Sequence, residues 1–224
     1  MKRIFSLILL SLAPLLASAQ WEFGVDLGAS ISRSNRADEP NFLMKNAISF
    51  LPEFRASYSF APNWYLGFGA AHVTKCYRLE PTDEWEGEAP STCRFRYFTL
   101  PVLLTYRFPI SDFWLGFSYG IQGDFFISQK TPTMFYNGEE HRRYELDNKE
   151  MNQCFGMSLG TEFGYNLNEN WKLMLSYRYA FDLVNADERA FHGRFRSNTI
   201  SLGFRYVLGG VTIVESYDAL SAAE

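Results

Sequence analysis

Residues Phe155–Leu167 read FGMSLGTEFGYNL. Phe155, Met157, Leu159, Thr161, Phe163, Tyr165 and Leu167 alternate with Gly156, Ser158, Gly160, Glu162, Gly164 and Asn166. A period of two is the mark of a β-strand with two unlike faces. The glycines decide which face looks where. On a water-exposed strand face, glycine weakens pairing and contributes no packing. Inside a narrow barrel it makes room for large charged neighbours, because an eight-stranded barrel is just wide enough for side chains to fill. The polar, glycine-bearing face therefore points inward, and the aromatic and aliphatic face meets lipid.

The same pattern recurs along the chain. Strand-like segments run Trp21–Ser32, Ile48–Phe60, Trp64–Cys76, Arg94–Phe108, Phe113–Phe126, Asn152–Leu167, Trp171–Leu183 and Ser197–Leu208. Gly24, Gly28, Gly67, Gly69, Gly116, Gly120 and Gly203 also fall on polar faces. The links alternate in length. Ala61–Asn63, Pro109–Asp112 and Asn168–Asn170 are short, whereas the links starting at Arg33, Tyr77, Ile127 and Val184 are long. A barrel inserted from the periplasm needs short turns on the entry side and carries long loops on the other. We therefore expect an all-β fold, an eight-stranded antiparallel up-and-down transmembrane β-barrel over residues 20–208. Trp21, Trp64 and Trp171 open strands beside the short turns, and Tyr106, Phe108, Tyr165 and Tyr206 end strands there. That clustering predicts an aromatic girdle at the periplasmic interface.

The ends of the chain carry different signals. Met1-Lys2-Arg3, the apolar run Ile4–Leu16 and Ala17-Ser18-Ala19 form a secretory signal peptide, residues 1–19, cleaved after Ala19. No stretch is long and apolar enough for a helical span. Residues 209–224 follow the last strand after Gly209-Gly210 and are expected to form a periplasmic tail. The formal net charge is −4, which carries no nucleic-acid footprint.

The polar faces hold both signs of charge. We assign Arg55, Arg94, Arg96, Arg107, Lys172, Arg178 and Arg205, with Glu22, Asp26, Glu53, Asp124, Glu162 and Asp182, to a lumen network. A selective channel lines its pore with one sign. Balanced charges in a narrow space pair with one another, because an unpaired buried charge is very costly. The expectation is a largely plugged lumen.

Export places the three cysteines in a disulfide-permissive space. A Cys76–Cys93 bridge would close the second long link and is favoured over two thiols. It requires a bulge or an end to regular pairing, since strict alternation puts the two residues on opposite faces. Cys154 reads as a small buried residue.

Little in the sequence points to catalysis. His192, Ser197 and Asn198 echo the residue types of lipid A deacylation, but their spacing is wrong for one strand face. We expect no enzyme activity, no metal and no cofactor. The remaining candidates are the long loops, where function gathers on a rigid scaffold. Tyr77–Thr92 is acidic, and Ile127–Met151 is the longest, with Phe135, Tyr136, Arg142 and Arg143. Expected partners are outer-membrane lipid and lipopolysaccharide, with protein or glycan partners at the loops.

Several segments carry a family resemblance. RYFTLPVLLTYRF (Arg96–Phe108), with Pro101 at its centre, is similar to the central strand of small outer-membrane β-barrels called porin-like or PorT-like. GMSLGTEFGYNL (Gly156–Leu167), LSYRYAFDL (Leu175–Leu183) and SNTISLGFRYVL (Ser197–Leu208) resemble that family's sixth, seventh and closing strands. The resemblance implies residence in the outer membrane of a Gram-negative envelope. It does not fix a role, since the family includes secretion accessories and barrels with no assigned role. A non-enzymatic structural or interaction role is the first reading. A small passive pore and an accessory component of a secretion system are the alternatives.

Overall fold

The computed structural model describes residues 20–34, 42–81, 91–130, 134–136, 139–141, 153–183 and 194–208. The expected signal peptide and tail lie outside them. Eight strands form the barrel: β1 (Gln20–Ser34), β2 (Phe42–Ala61), β3 (Trp64–Pro81), β4 (Ser91–Ile110), β5 (Phe113–Lys130), β8 (Cys154–Asn166), β9 (Trp171–Asp182) and β10 (Phe195–Leu208). A separate two-stranded hairpin, β6 (Met134–Tyr136) and β7 (Glu139–His141), lies within the third long connection. Every barrel strand pairs antiparallel with its neighbours, and β1 pairs with β10 to close the ring. Closure leaves no unpaired sheet edge, which is what a sheet in hydrocarbon requires.

The sidedness of the strands follows the alternation. Val25, Leu27 and Ile31 of β1, Leu159 and Phe163 of β8 and Ile200, Leu202 and Phe204 of β10 are exposed on the outer wall. Glu22, Asp26, Ser158, Glu162, Thr199 and Arg205, their neighbours in sequence, are buried inside. The apolar face of this protein is its outside.

The short turns are built from local chemistry. Asn63 and Ser111 take positive φ values of 65° and 55°, each just before a strand opens. In the third turn, Asn168 Oδ1 accepts from the backbone N–H of Asn170 (3.0 Å) and Trp171 (2.9 Å), an Asx-type turn. Ring pairs gather at this end. Trp64 meets Tyr106 at 4.9 Å, Trp171 meets Tyr206 at 4.8 Å, Phe113 meets Tyr165 at 4.7 Å, Tyr106 meets Phe108 at 4.6 Å and Trp21 meets Tyr58 at 5.0 Å.

At the opposite end the strands run further than their alternation suggests. β3 continues to Pro81, β4 begins at Ser91 and β5 continues to Lys130. Parts of the expected second and third loops are therefore strand. One irregularity interrupts the ladder between Asn46 and Glu53 of β2. Hydroxyls take over there. Ser49 Oγ donates to the Thr74 carbonyl (2.7 Å), while Ser32 Oγ accepts from Cys76 N–H (2.8 Å) and donates to the Cys76 carbonyl (2.8 Å).

Candidate functional site: a charged lumen and its outer rim

The inward faces bring titratable side chains from eight strands into one narrow space. Near the short turns, Arg107 of β4 is the hub. Its Nη1 bonds both Glu22 oxygens (2.9 and 2.8 Å), and its Nε bonds Glu162 (2.6 Å). Lys172 also bonds Glu22 (2.6 Å). The Arg107 guanidinium lies 3.9 Å from the Tyr65 ring centroid and 4.9 Å from that of Trp114. Trp114 fits because Gly164 opposite it has no side chain. A Cβ there would fall inside the indole.

A middle tier joins β1, β2, β9 and β10. Arg205 bonds Asp26 at 2.7 Å and is fully buried. Arg55 bonds Glu53 through Nε (3.2 Å) and Nη2 (3.0 Å) and lies 3.5 Å from Asp26. Arg178 reaches the same Glu53 from β9. The upper tier centres on Lys75 of β3, whose ammonium donates to Asp124 and Asp182, each at 2.7 Å. Thr99 Oγ1 (2.5 Å) and Gln122 Nε2 (3.1 Å) complete the Asp124 shell. The Phe195 backbone N–H bonds Asp182 (3.2 Å). The carboxylates Glu22, Asp26, Glu53, Asp124, Glu162 and Asp182 thus face the cations Arg55, Lys75, Arg107, Lys172, Arg178 and Arg205, with Glu53 also taking Arg178. Each of the twelve has an opposite charge within ion-pair distance, as low-dielectric burial demands.

Lys75 was missed by sequence reasoning, although it shares its parity with the inward Gly67 and Gly69. That parity was the available signal.

Two assignments are corrected. Arg94 and Arg96 are not lumen residues: both are exposed on the outer wall. The inward parity of Arg107 and Thr99 carries up β4 to Tyr97, Phe95 and Cys93, all buried. At the loop end the polarity of the wall inverts. Tyr77, Phe95 and Phe195 pack together over the upper tier, with ring centroids 5.5–6.4 Å apart. Cations stand outside them. The reason is solvation: beyond the hydrocarbon the outer face meets polar surroundings, so the apolar face turns inward.

The Cys76–Cys93 bridge is the second correction, since both residues are thiols. The β3–β4 ladder stays regular there, with Cys76 opposite Arg94 and Tyr77 opposite Cys93. The two cysteines are offset by one residue, so their side chains leave opposite faces of the pleat. Cys154 is buried inside.

The histidine reading has little structural support. His192 lies outside the described residues. Asn198 accepts a hydrogen bond from Tyr177 Oη on the outer wall (2.6 Å). Among the described residues no group of His, Cys, Asp and Glu could hold a metal ion.

The fold has known counterparts. The outer membrane protein OprG from Pseudomonas aeruginosa superposes with a TM-score of 0.54 at 13% identity, covering 87% of this chain and 97% of OprG. The outer membrane protein AlkL gives a TM-score of 0.51 at 11% identity, covering 87% of this chain and 92% of AlkL. No curated protein matches the chain in sequence. A family model described as outer membrane protein beta-barrel domain matches residues 5–207. The chain belongs to the outer membrane protein beta-barrel domain family, and its home is the outer membrane of a Gram-negative cell.

Proposed function

We propose that this protein is a non-enzymatic barrel with a plugged lumen, and that it works through the long connections it holds at the cell surface. The observation that carries this reading is the tiered ion-pair network. Arg107 spans from Glu22 of β1 to Glu162 of β8, and Lys75 spans from β3 to Asp182 of β9. A column of water large enough for ions would have to displace these pairs, each desolvated and costly to separate. The aromatic group Tyr77, Phe95 and Phe195 supports the same reading at the loop end. With the lumen filled, the surfaces left for partners are the outer wall and the loops. Lipopolysaccharide surrounds the wall, and protein or glycan partners meet the loops. Planar-bilayer recording tests the lumen: silent insertion of wild-type protein is the expected result, and discrete current steps would favour the passive pore instead. Deleting residues 131–152, then measuring surface binding with the barrel still folded, tests the loops.

A further inference from the structure

The outer wall at the loop end holds an electrostatic conflict. Arg33 of β1 stands directly opposite Arg196 of β10. Lys45 of β2 stands opposite Arg78 of β3, and Arg94 of β4 opposite Lys130 of β5. All six are exposed. Like charges facing each other across antiparallel strands destabilise a sheet. Glu80 relieves the second pair by reaching both Lys45 and Arg78. No ion pair among the described residues relieves the first and third.

The height of these cations is set by the strands that carry them. Ile31 is the next outward residue below Arg33, whereas Ile200 lies four residues below Arg196 and Phe98 four below Arg94. All three belong to the exposed apolar band. At about 3.3 Å per residue, two to four residues carry a side chain roughly 7–13 Å along the strand beyond the last apolar position. The polar headgroup layer flanks the roughly 30 Å hydrocarbon core on that scale. The strands β10, β1, β2, β3, β4 and β5 are also consecutive around the ring. The pairs therefore form one arc rather than scattered charges.

We propose that this arc binds the phosphate groups of a phosphorylated glycolipid in the outer leaflet, with the Arg33–Arg196 and Arg94–Lys130 pairs each bracketing one phosphate. The inference rests on the reading that the long connections face the cell surface. A phosphomonoester carries about −1.5 to −2 charges near neutral pH, matching two cations. Guanidinium groups present fork-like donors suited to its oxygens. An occupant of this kind turns each repulsive pair into a favourable one. Buried acyl chains of the same lipid lie along the apolar wall beneath.

The test uses the full chain purified in neutral detergent. Probes are bis-phosphorylated lipid A, the same lipid A with its phosphates removed, phosphatidylglycerol and inorganic phosphate, with retained lipid read by native mass spectrometry. Wild-type protein is expected to hold bis-phosphorylated lipid A, and Arg33→Gln/Arg196→Gln/Arg94→Gln/Lys130→Gln to hold it about tenfold more weakly or worse, the loss of at least one charge-assisted contact. Arg33→Lys/Arg196→Lys is expected to retain most of the binding. Without lipid, the Gln variant is expected to unfold at a higher temperature than wild type, because a repulsion has been removed. Equal retention by wild type and the Gln variant overturns the proposal. So does equal retention of dephosphorylated lipid A or phosphatidylglycerol, or full displacement by inorganic phosphate. If the quadruple variant does not fold, the two double variants are read separately by the same assay. Cleavage of the third connection by protease added to intact cells reports sidedness on its own, so an error there is told apart from an error about the ligand.

Discussion

Lys75 on β3 donates a 2.7 Å hydrogen bond to Asp182 on β9, 107 residues away in sequence. Four steps around the ring separate these strands in either direction, so the pair spans the barrel's diameter. Lys75 also holds Asp124. Removing it leaves two buried carboxylates facing each other. Lys75→Met is expected to cost about 3–5 kcal/mol of stability, the usual penalty for breaking a buried ion pair from one side. Urea unfolding in detergent micelles measures it. Lys75→Met/Asp124→Asn/Asp182→Asn is expected to recover a large part of that loss, since the uncompensated charge is gone.

Trp114 and Gly164 form a pair of the opposite kind, a large ring and a missing side chain. Gly164→Ala forces the indole out of its place beside Arg107. We expect a loss of about 1–3 kcal/mol, the range for overpacking a filled interior. Gly164→Ala/Trp114→Phe is expected to cost less than the sum of its single changes. A double-mutant cycle reads the coupling directly.

The cysteines give a chemical prediction. The chain contains three cysteines, Cys76, Cys93 and Cys154, and all are buried thiols. Folded protein is expected to resist maleimide labelling. Protein unfolded without reductant is expected to take up three labels, and a mass short by two labels would reveal a disulfide.

Arg107 offers a test of what fills the lower lumen. It compensates Glu22 and Glu162 at once. Arg107→Ala removes the bulk and leaves those carboxylates with less opposing charge. Small, cation-preferring current steps are expected from this variant in planar bilayers, in line with the rule that a ring of acids passes cations. Continued silence would mean that the remaining tiers suffice to block ions.

The strand count, the closed ring and the direction of the two faces were legible because the bilayer enforces one rule along most of each strand. Glycine on the polar face, as in Gly156, Gly160 and Gly164, was enough to settle inside from outside. The same rule misled at the loop end. Arg94 and Arg96 looked like lumen residues because polarity stood in for direction. Parity counted up from Arg107 puts Phe95 and Tyr97 inside instead, and the structure agrees. Lys75 was hidden for a related reason: β3 offers small residues such as Ala70 and Ala71 on both faces, so its alternation is weak. The Cys76–Cys93 bridge required a bulge or an end to regular pairing, but β3 and β4 stay in register through Leu79 and Ser91. Which carboxylate meets which cation depends on barrel geometry across as many as 179 residues, and no local pattern carries that.

The seam between the first and last strands has a bearing on how the barrel forms. Strand β1 points Glu22 and Asp26 inward, whereas their partners Lys172 and Arg205 point inward from β9 and β10, and β9 adds Arg178 and Asp182. Before closure, an unrolled sheet therefore carries acid along its leading margin and an excess of base along its trailing one. The two margins attract, and the Glu22–Lys172 and Asp26–Arg205 pairs form only when the ring is complete. Asp26 waits 179 residues of synthesis for Arg205. Closure is then self-checking: a sheet that stops one strand short, or joins out of register, leaves charge exposed to hydrocarbon and is driven back out of it.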